Sequence, residues 1–395
     1  MPQGLNDPQV IHFATGSVGG AGLAARRLNR ALNNSSFNSK FYSPTRKNFS
    51  PEIDEFELSR SLFSTVKSAI STRMQESFNS ISFFSLFSVN TISHRTIRRL
   101  ASKENTILQF HNWYNLLSQK TILKLATHGY RVVLTMHDER FFTGGCHYAL
   151  ECQGFITGCN RCPRLSPLIY SLPSRNVRIA GKLIAKAHPN IYFISPSNWL
   201  LKEGEKSKIL GGAQLIHISN TLGVDLSNIP SSKQRIDTQS LNIGIASMDH
   251  NSYVKGGDTL QAVINSVNSE RLPINFIYFN KLASHENPEQ NFWGKLDYLL
   301  SLSRADNSPN VIHEAKLRGI PTISTAVGGI TELLTAPPDI KIGAESTTAQ
   351  IVDVLRELVN SKGEIYLSDS NTAFIEYAGN SVADHVNLYK SILAK

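Results

Sequence analysis

The sequence predicts an α/β fold, on three observations. Apolar runs of strand length alternate with helical patterns along the chain, the order expected of parallel strands joined by crossover helices. A chain of 395 residues exceeds one typical core, and about 150 residues per domain suggests two or three domains. The stretch Ser303–Glu332 reads in succession as loop, helix, turn and buried strand.

The elements follow in order. Val10–Ala14 reads as a first strand, followed by the glycine-rich Gly16–Gly22 and a helix through Ala24–Leu32. Glycines there allow close backbone approach to a ligand and tolerate positive φ. The loop lacks the Gly-Lys-Ser/Thr of a Walker motif, and no acidic residue follows about 20 positions on as a dinucleotide fingerprint requires. Ile107–Phe110 and Arg131–Thr135 read as buried strands that deliver His111-Asn112 and His137-Asp138 at their ends. Ile191–Ser195 is a further strand, and Ile216–Asn220 leads into a Ser-, Pro-, Gln- and Asp-rich loop over Asp225–Ser240. That loop is the expected boundary between a first domain, 1–225, and a second, 241–379, which opens on the strand Leu241–Ala246. A final amphipathic helix, within 380–395, carries Val382, Val386, Tyr389 and Leu393 on one side. Ligands of open α/β sheets bind at the carboxyl ends of the strands, so the loops just named are the candidate site.

Within Ser303–Glu332, Asp306 and Glu314 stand eight positions apart around a helix start. Asn307 or Ser308 suits the N-cap and Pro309 the first helical position. Asn310 and Glu314 then lie one turn apart on one face, Gly319 ends the helix, and Thr322–Thr325 forms a strand after Pro321. The N–H groups of a helix start, here Asn310 and Val311, accept an anion, and a carboxylate one turn in can take the hydroxyls of a sugar. Phosphate on the helix end and ribose on Glu314 describe a nucleotide-sugar site.

The stretch resembles the signature of the family 4 retaining glycosyltransferases. In them two acids eight positions apart are followed by Glu-Ala, a Gly-x-Pro turn and Gly-Gly-x-x-Glu, here Glu314-Ala315, Gly319, Pro321 and Gly328-Gly329 with Glu332. The wording of Asp306–Asn310 is similar to the branch that builds exopolysaccharides such as colanic acid. The resemblance implies a GT-B fold: two doubly wound, Rossmann-like domains facing across a cleft, with the C-terminal helix crossing back to the first. It implies a hexosyltransferase that moves sugar from a nucleotide-diphosphate donor to a growing, lipid-linked glycan in exopolysaccharide, O-antigen or capsule synthesis. Glu314 would hold the ribose, Asp306 the donor sugar, and Lys255, Asn310, Val311 and Gly329 the diphosphate. Gly19 and Gly20 would lie beside the diphosphate and acceptor, with His137 near the donor sugar and His111 at the acceptor or the donor sugar. His137 fits either of two roles, a neutral donor to a sugar hydroxyl or a cation opposing phosphate charge. The front-face chemistry of the family needs no protein nucleophile. No catalytic metal is implied, since no Asp-x-Asp stands at a strand end. Two positions depart from the pattern: Asp306 replaces the usual Glu, and Asp249 stands where an Arg often precedes the Lys. These departures leave open a second reading, a transfer-inactive binding or scaffold subunit.

All four cysteines fall within 146–162, as Cys146, Cys152, Cys159 and Cys162. Clustering in one short segment favours a structural zinc, with His147 as a substitute ligand, over reduced thiols or regulatory disulfides. The segment resembles an insertion of the same exopolysaccharide branch. The formal charge of +9 favours anionic partners, but no repeated basic–aromatic pattern marks a nucleic-acid groove. The N-terminus has no secretory pattern and no run approaches a bilayer span, which predicts a cytoplasmic protein. Leu58, Leu62, Val66, Ile70, Met74 and Phe78 recur every four residues among basic residues. That stretch suits either a helix in peripheral contact with anionic membrane or a core helix.

Overall fold

The structure is a computed structural model that describes residues 9–44, 54–58, 84–86, 88–222, 240–246, 252–279, 292–334, 337–361 and 371–395, with positions 66, 69, 70 and 73. The chain divides into two units. Unit 1 comprises Met1–Gly223 and Gly379–Lys395, and unit 2 comprises Val224–Ala378. The expected boundary loop and Asp249 lie outside the described residues, as does most of the Leu58–Phe78 stretch. Of that stretch, Leu58 is buried while Val66 and Ile70 are more than half exposed.

Unit 1 is built on a parallel sheet of β1 (Gln9–Ala14), β2 (Ser39–Ser43), β3 (Glu55–Glu57), β4 (Thr106–Asn112), β5 (Arg131–Thr135), β6 (Ile191–Ser195) and β7 (Leu215–His217). Their order across the sheet is β3-β2-β1-β4-β5-β6-β7. The chain therefore winds outward in one direction to β3, then starts again beside β1 and winds the other way. The crevice between β1 and β4 is the switch point, where ligands of such sheets bind.

Alternation along the strands separates two faces. Ile11, Phe13, Leu108, Phe110, Val132 and Leu134 face one core cluster. Val10, Ile107 and Val133 face another, which is closed by Leu28 and Leu32 of the helix Gly20–Asn34 and by Tyr389 and Ile392 of the C-terminal helix. That last helix runs over Asn371–Leu393, longer than the sequence suggested. From Gly379 onward it belongs to unit 1. Its fully buried Tyr389 donates its hydroxyl to Gln109 Oε1 at 2.5 Å, and Ser381 Oγ donates to the Ser219 carbonyl at 2.6 Å. Burial of each large apolar side chain here contributes about 1.5–3 kcal/mol.

Unit 2 carries a parallel sheet of β8 (Leu241–Ile245), β9 (Ile274–Tyr278), β10 (Tyr298–Ser301), β11 (Thr322–Thr325) and β12 (Ile340–Ile342), in the order β12-β11-β10-β8-β9. Its switch point lies between β8 and β10. The helices Gly257–Ser269 and Thr348–Asn360 pack on one face through Leu260, Val263, Val267, Ile351, Val352 and Leu355. The second of these opens with a complete capping box, Thr347 with Gln350.

Candidate functional site

In unit 2 the loops leaving β8 and β10 meet at the switch point. The β8 loop ends at Gly256, the N-cap of the helix Gly257–Ser269, with φ +68°. A Cβ there would stand 1.9 Å from the Leu302 carbonyl oxygen, so only glycine fits. The backbone N–H of Arg304 donates to the Val254 carbonyl at 2.7 Å, and the Arg304 guanidinium grips Asp258 with two hydrogen bonds and lies over the Tyr253 ring. Lys255 is thereby held between two fixed points, and its ammonium meets Asp306 Oδ2 at 2.5 Å. Sequence reasoning gave these two residues separate tasks; the structure makes them an ion pair. Asp306 is 7% exposed, and its backbone carbonyl accepts from Gly329 N–H at 3.1 Å, which ties in the loop after β11.

The helix after this loop runs over Asn310–Leu317. Its N-cap is Pro309, without a side-chain cap bond, rather than Asn307 or Ser308. Ser308 Oγ instead bonds His313 Nε2 at 2.7 Å, so its hydroxyl is taken up by the ring one turn on. Asn310 and Val311 open the helix, and Glu314 follows Asn310 one turn in, partly buried. Lys255, Asp306, Gly329 and the helix start therefore share the carboxyl edge of one sheet.

In unit 1, β1, β4 and β5 place a row of imidazoles across the other switch point. His12 lies in β1 opposite Gln109 of β4, so His111, two residues on, shares its face. His12 Nδ1 stands 3.0 Å from His111 Nε2, and His111 Nδ1 stands 3.1 Å from His137 Nε2. Behind them His385 of the C-terminal helix donates from Nδ1 to the Ser381 carbonyl at 2.7 Å. Burial holds all four neutral. It pushes His12 down to about 3, with His385 adding to the effect, and pushes His137 to about 4 against the attraction of Asp138. His385 is pushed to about 4 by burial despite its bond to Ser381, and His111 lies well below 6.5 through burial and its three histidine neighbours. A neutral His137 can donate a hydrogen bond but brings no cation to a phosphate.

His111 and His137 line a small cavity of about 20 Å³ with Ala21, Tyr114, Asp138 and Arg140, room for one water. Asp138 accepts from His147 Nδ1 at 2.6 Å and from Arg140 N–H at 2.9 Å. Burial opposes the charge of Asp138, but these contacts with His147 and Arg140 hold its carboxyl below the usual range. Arg140 donates from Nε to the Ser85 carbonyl and lies over Trp113, 5.2 Å from the ring centre. Glu139 is buried and accepts from Ala149 N–H, and burial pushes its carboxyl up to about 7. Gly19 has φ +86° at the N-cap of Gly20–Asn34, and Gly20 is exposed.

The four cysteines lie near enough to one another to raise the thiols of Cys146, Cys159 and Cys162. Among the described residues no group of three or more His, Cys, Asp or Glu side chains is placed to hold a metal. Cys146 is buried beside Phe84 and Leu86 with Arg164 Nη1 at 3.5 Å, whereas Cys159 Sγ accepts from Gly144 N–H at 3.3 Å. Burial pushes the Cys146 thiol up to about 12 and raises those of Cys159 and Cys162, and the neighbouring cysteines add to each shift. His147 uses one ring nitrogen on Asp138 and the other on Ser85 Oγ at 2.8 Å, so it is no substitute ligand.

Sequence reasoning missed His12 and His385. The signal for His12 was present: a lone polar side chain in the apolar strand QVIHFA, on the same face as the His-bearing end of β4. His385 carried no such signal, because only the packing of the last helix brings it there.

No family model matches the chain. It is 23% identical over 338 residues to WcaC of Escherichia coli (strain K12), whose provisional name is colanic acid biosynthesis glycosyl transferase; the match covers 76% of this chain and 79% of that one. Among solved structures it resembles sucrose-phosphate synthase of Thermosynechococcus elongatus, with a TM-score of 0.65 at 12% identity over 98% of this chain and 100% of that one. It also resembles Anabaena HepE in complex with UDP and glucose, with a TM-score of 0.59 at 12% identity over 97% and 100%. The catalytic domain of starch synthase IV from Arabidopsis thaliana, bound to ADP and acarbose, gives a TM-score of 0.56 at 9% identity over 99% and 100%. The chain has the GT-B fold of glycosyltransferases.

Proposed function

We propose that this GT-B chain is a retaining hexosyltransferase that takes sugar from a nucleotide-diphosphate donor and adds it to a growing, lipid-linked glycan at the inner face of a membrane. The observation that carries the reading is the Lys255–Asp306 pair at the switch point of unit 2, beside Gly329 and a helix start with Glu314 one turn in. Cation, backbone N–H groups and a helix start suit a diphosphate, and a carboxylate one turn further suits ribose hydroxyls. Asp306 then serves twice, fixing the Lys255 ammonium and accepting from a donor-sugar hydroxyl. HepE, bound to UDP and glucose, and starch synthase IV, bound to ADP, support a nucleotide-sugar donor by analogy of fold. The likeness to WcaC supports an exopolysaccharide glycan as the product.

In unit 1, neutral His137 suits a sugar hydroxyl rather than phosphate, with His111 bonded behind it, and Gly19 turns the chain at φ +86° beside the place of donor and acceptor. In the front-face mechanism the leaving diphosphate takes the acceptor proton, so protein groups stabilise charge and fix geometry. No helix of the described residues is long and apolar enough to cross a membrane, so contact with a lipid-linked acceptor would be peripheral.

A thermal-shift screen against UDP-, GDP-, ADP- and CMP-sugars identifies the donor, since a ligand at a hundred times its Kd stabilises by about 2.7 kcal/mol. Glu314→Ala should then lose transfer while its unfolding midpoint stays within a few degrees of the parent. Full activity in that variant removes the ribose role, and the absence of any shift across the panel favours the scaffold reading.

A further inference from the structure

The three imidazoles of unit 1 form one continuous hydrogen-bonded row, and its geometry fixes where the protons sit. A neutral imidazole carries one N–H, and each of the two N···N contacts, 3.0 and 3.1 Å, needs exactly one proton between its atoms. Only two arrangements satisfy both. In the first, His12 donates from Nδ1 to His111, His111 donates from Nδ1 to His137, and His137 keeps its proton on Nδ1. In the second, every proton moves to Nε2 and each ring donates the other way along the row.

The far end of the row decides between them. His12 Nε2 is fully buried and, among the described residues, has no hydrogen-bond partner. The second arrangement leaves an N–H stranded there, and orphaned buried N–H groups are rarer in proteins than unfilled acceptors. The first arrangement leaves only a lone pair. His385 supplies no acceptor contact to a proton on His12 Nε2, and its own Nδ1 proton is committed to the Ser381 carbonyl. The near end is free to differ. Among the described residues no hydrogen bond is made by His137 Nδ1, and His137 lines the small cavity beside Asp138 and Arg140.

We propose that His12 and His111 are positioning residues that lock His137 with its proton on Nδ1, so that His137 meets the substrate as a hydrogen-bond donor and never as an acceptor. The substrate atom it serves is therefore an oxygen with a lone pair to give. A sugar hydroxyl or a ring oxygen qualifies, and a group that must itself donate does not. This rests on the glycosyl-transfer reading for the identity of the substrate, while the tautomer itself is a property of unit 1 alone.

The test reads the ring nitrogens directly. Protein labelled with ¹⁵N in histidine is studied by long-range ¹H–¹⁵N correlation, with His137→Gln to assign the signals, in the parent and in His12→Asp. A carboxylate at position 12 accepts, so His111 must donate to it from Nε2, and at a pH where the same spectrum shows His111 neutral His137 must turn to Nε2–H. The parent should show His137 protonated on Nδ1 and bare on Nε2, and His12→Asp the reverse. With the donor found by the thermal-shift screen, His12→Asp should lower kcat on the order of 100-fold while KM for the donor moves less than about threefold. Nε2–H on His137 in the parent, or an unchanged tautomer in a folded His12→Asp, overturns the proposal. The parent spectrum decides even if His12→Asp does not fold. Nδ1–H with no transfer from any donor would overturn the glycosyl-transfer reading and leave the lock standing.

Discussion

Lowering the pH from 7 to 5 should cost unit 1 about 3 kcal/mol of stability. The unfolded chain titrates histidine near 6.5, whereas burial holds His12 at about 3 and His137 and His385 at about 4. Below pH 6.5 the unfolded state therefore binds protons that the folded state refuses. The stability these groups provide is complete above 6.5 and is lost as the pH falls toward their folded values. Between pH 7 and 5 each of the three loses nearly 2 kcal/mol, or about 5.5 kcal/mol together. His111, also held well below 6.5, adds to the loss.

Glu139 works in the opposite sense. Its carboxyl is pushed up to about 7 by burial, while the unfolded group titrates near 4.5. The stability it provides is complete below 4.5 and is lost as the pH rises toward 7, so acidification to pH 5 restores about 2 kcal/mol. The net is the loss of about 3. Hydrogen exchange of the Ile107–Phe110 amides in β4 under increasing urea reads unit 1 separately from unit 2, once corrected for intrinsic exchange at each pH. Glu139→Gln removes the opposing contribution and should deepen the loss to at least about 5.5 kcal/mol. Equal or greater protection of β4 at pH 5 would refute the claim that the histidine row is buried and neutral.

Gly256→Ala should destabilise unit 2 by at least about 3 kcal/mol, since it combines left-handed strain with a clash against the Leu302 carbonyl. Fluorescence of the buried Trp293 during urea unfolding reports it, and an unchanged midpoint would contradict the loop geometry. Tyr389→Phe leaves buried Gln109 Oε1 without its donor and should cost about 1–3 kcal/mol in thermal unfolding without changing the fold. Thiol titration under denaturation should count four reduced cysteines, with less than one zinc per chain by elemental analysis, because among the described residues no ligand group is placed to hold a metal. Stoichiometric zinc would show that the segment rearranges around the metal.

Much of this was legible in the sequence because the strands are buried on both faces and read as short apolar runs. Arg131–Thr135, Ile191–Ser195 and Thr322–Thr325 fall at the expected residues, and β1, β4 and β8 within a residue or two at each end. Ile216–Asn220 was read only as the lead into a loop, whereas Leu215–His217 pairs with β6 as a strand. The N-cap was misplaced because Pro309 fits either side of a helix boundary, its φ of −68° being common to both. Side-chain pairing was the part that could not be read. Lys255 and Asp306 are 51 positions apart, and His12 and His111 are 99 apart. Spacing along a chain carries no information about such pairs until the order of strands across the sheet is known. The cysteines are the opposite case, since neighbours in sequence are also neighbours in space.

The order of strands also explains why the two switch points have different chemistry. In unit 1 the residues that meet there come from within β1 and β4 and from just after β5, where both faces of the sheet are covered and an unpaired charge is costly. Three imidazoles satisfy that condition by bonding one another, at the cost of one unfilled nitrogen on His12. In unit 2 the residues that meet come from the loops after β8 and β10, where Lys255 remains about one-third exposed and charge survives. An ammonium fixed by a carboxylate keeps its position while presenting its remaining charge to an anion, and a neutral row presents a directed N–H to an uncharged oxygen. Two units with the same winding thus offer a phosphate-type contact in one and a hydroxyl-type contact in the other. Exchanging their characters should therefore fail asymmetrically. Lys255→Met should weaken binding of the free nucleoside diphosphate at least tenfold and steadily less as salt rises, while His137→Phe should leave that binding within about twofold. Equal losses in the two variants, measured by calorimetric titration, would contradict this division of labour.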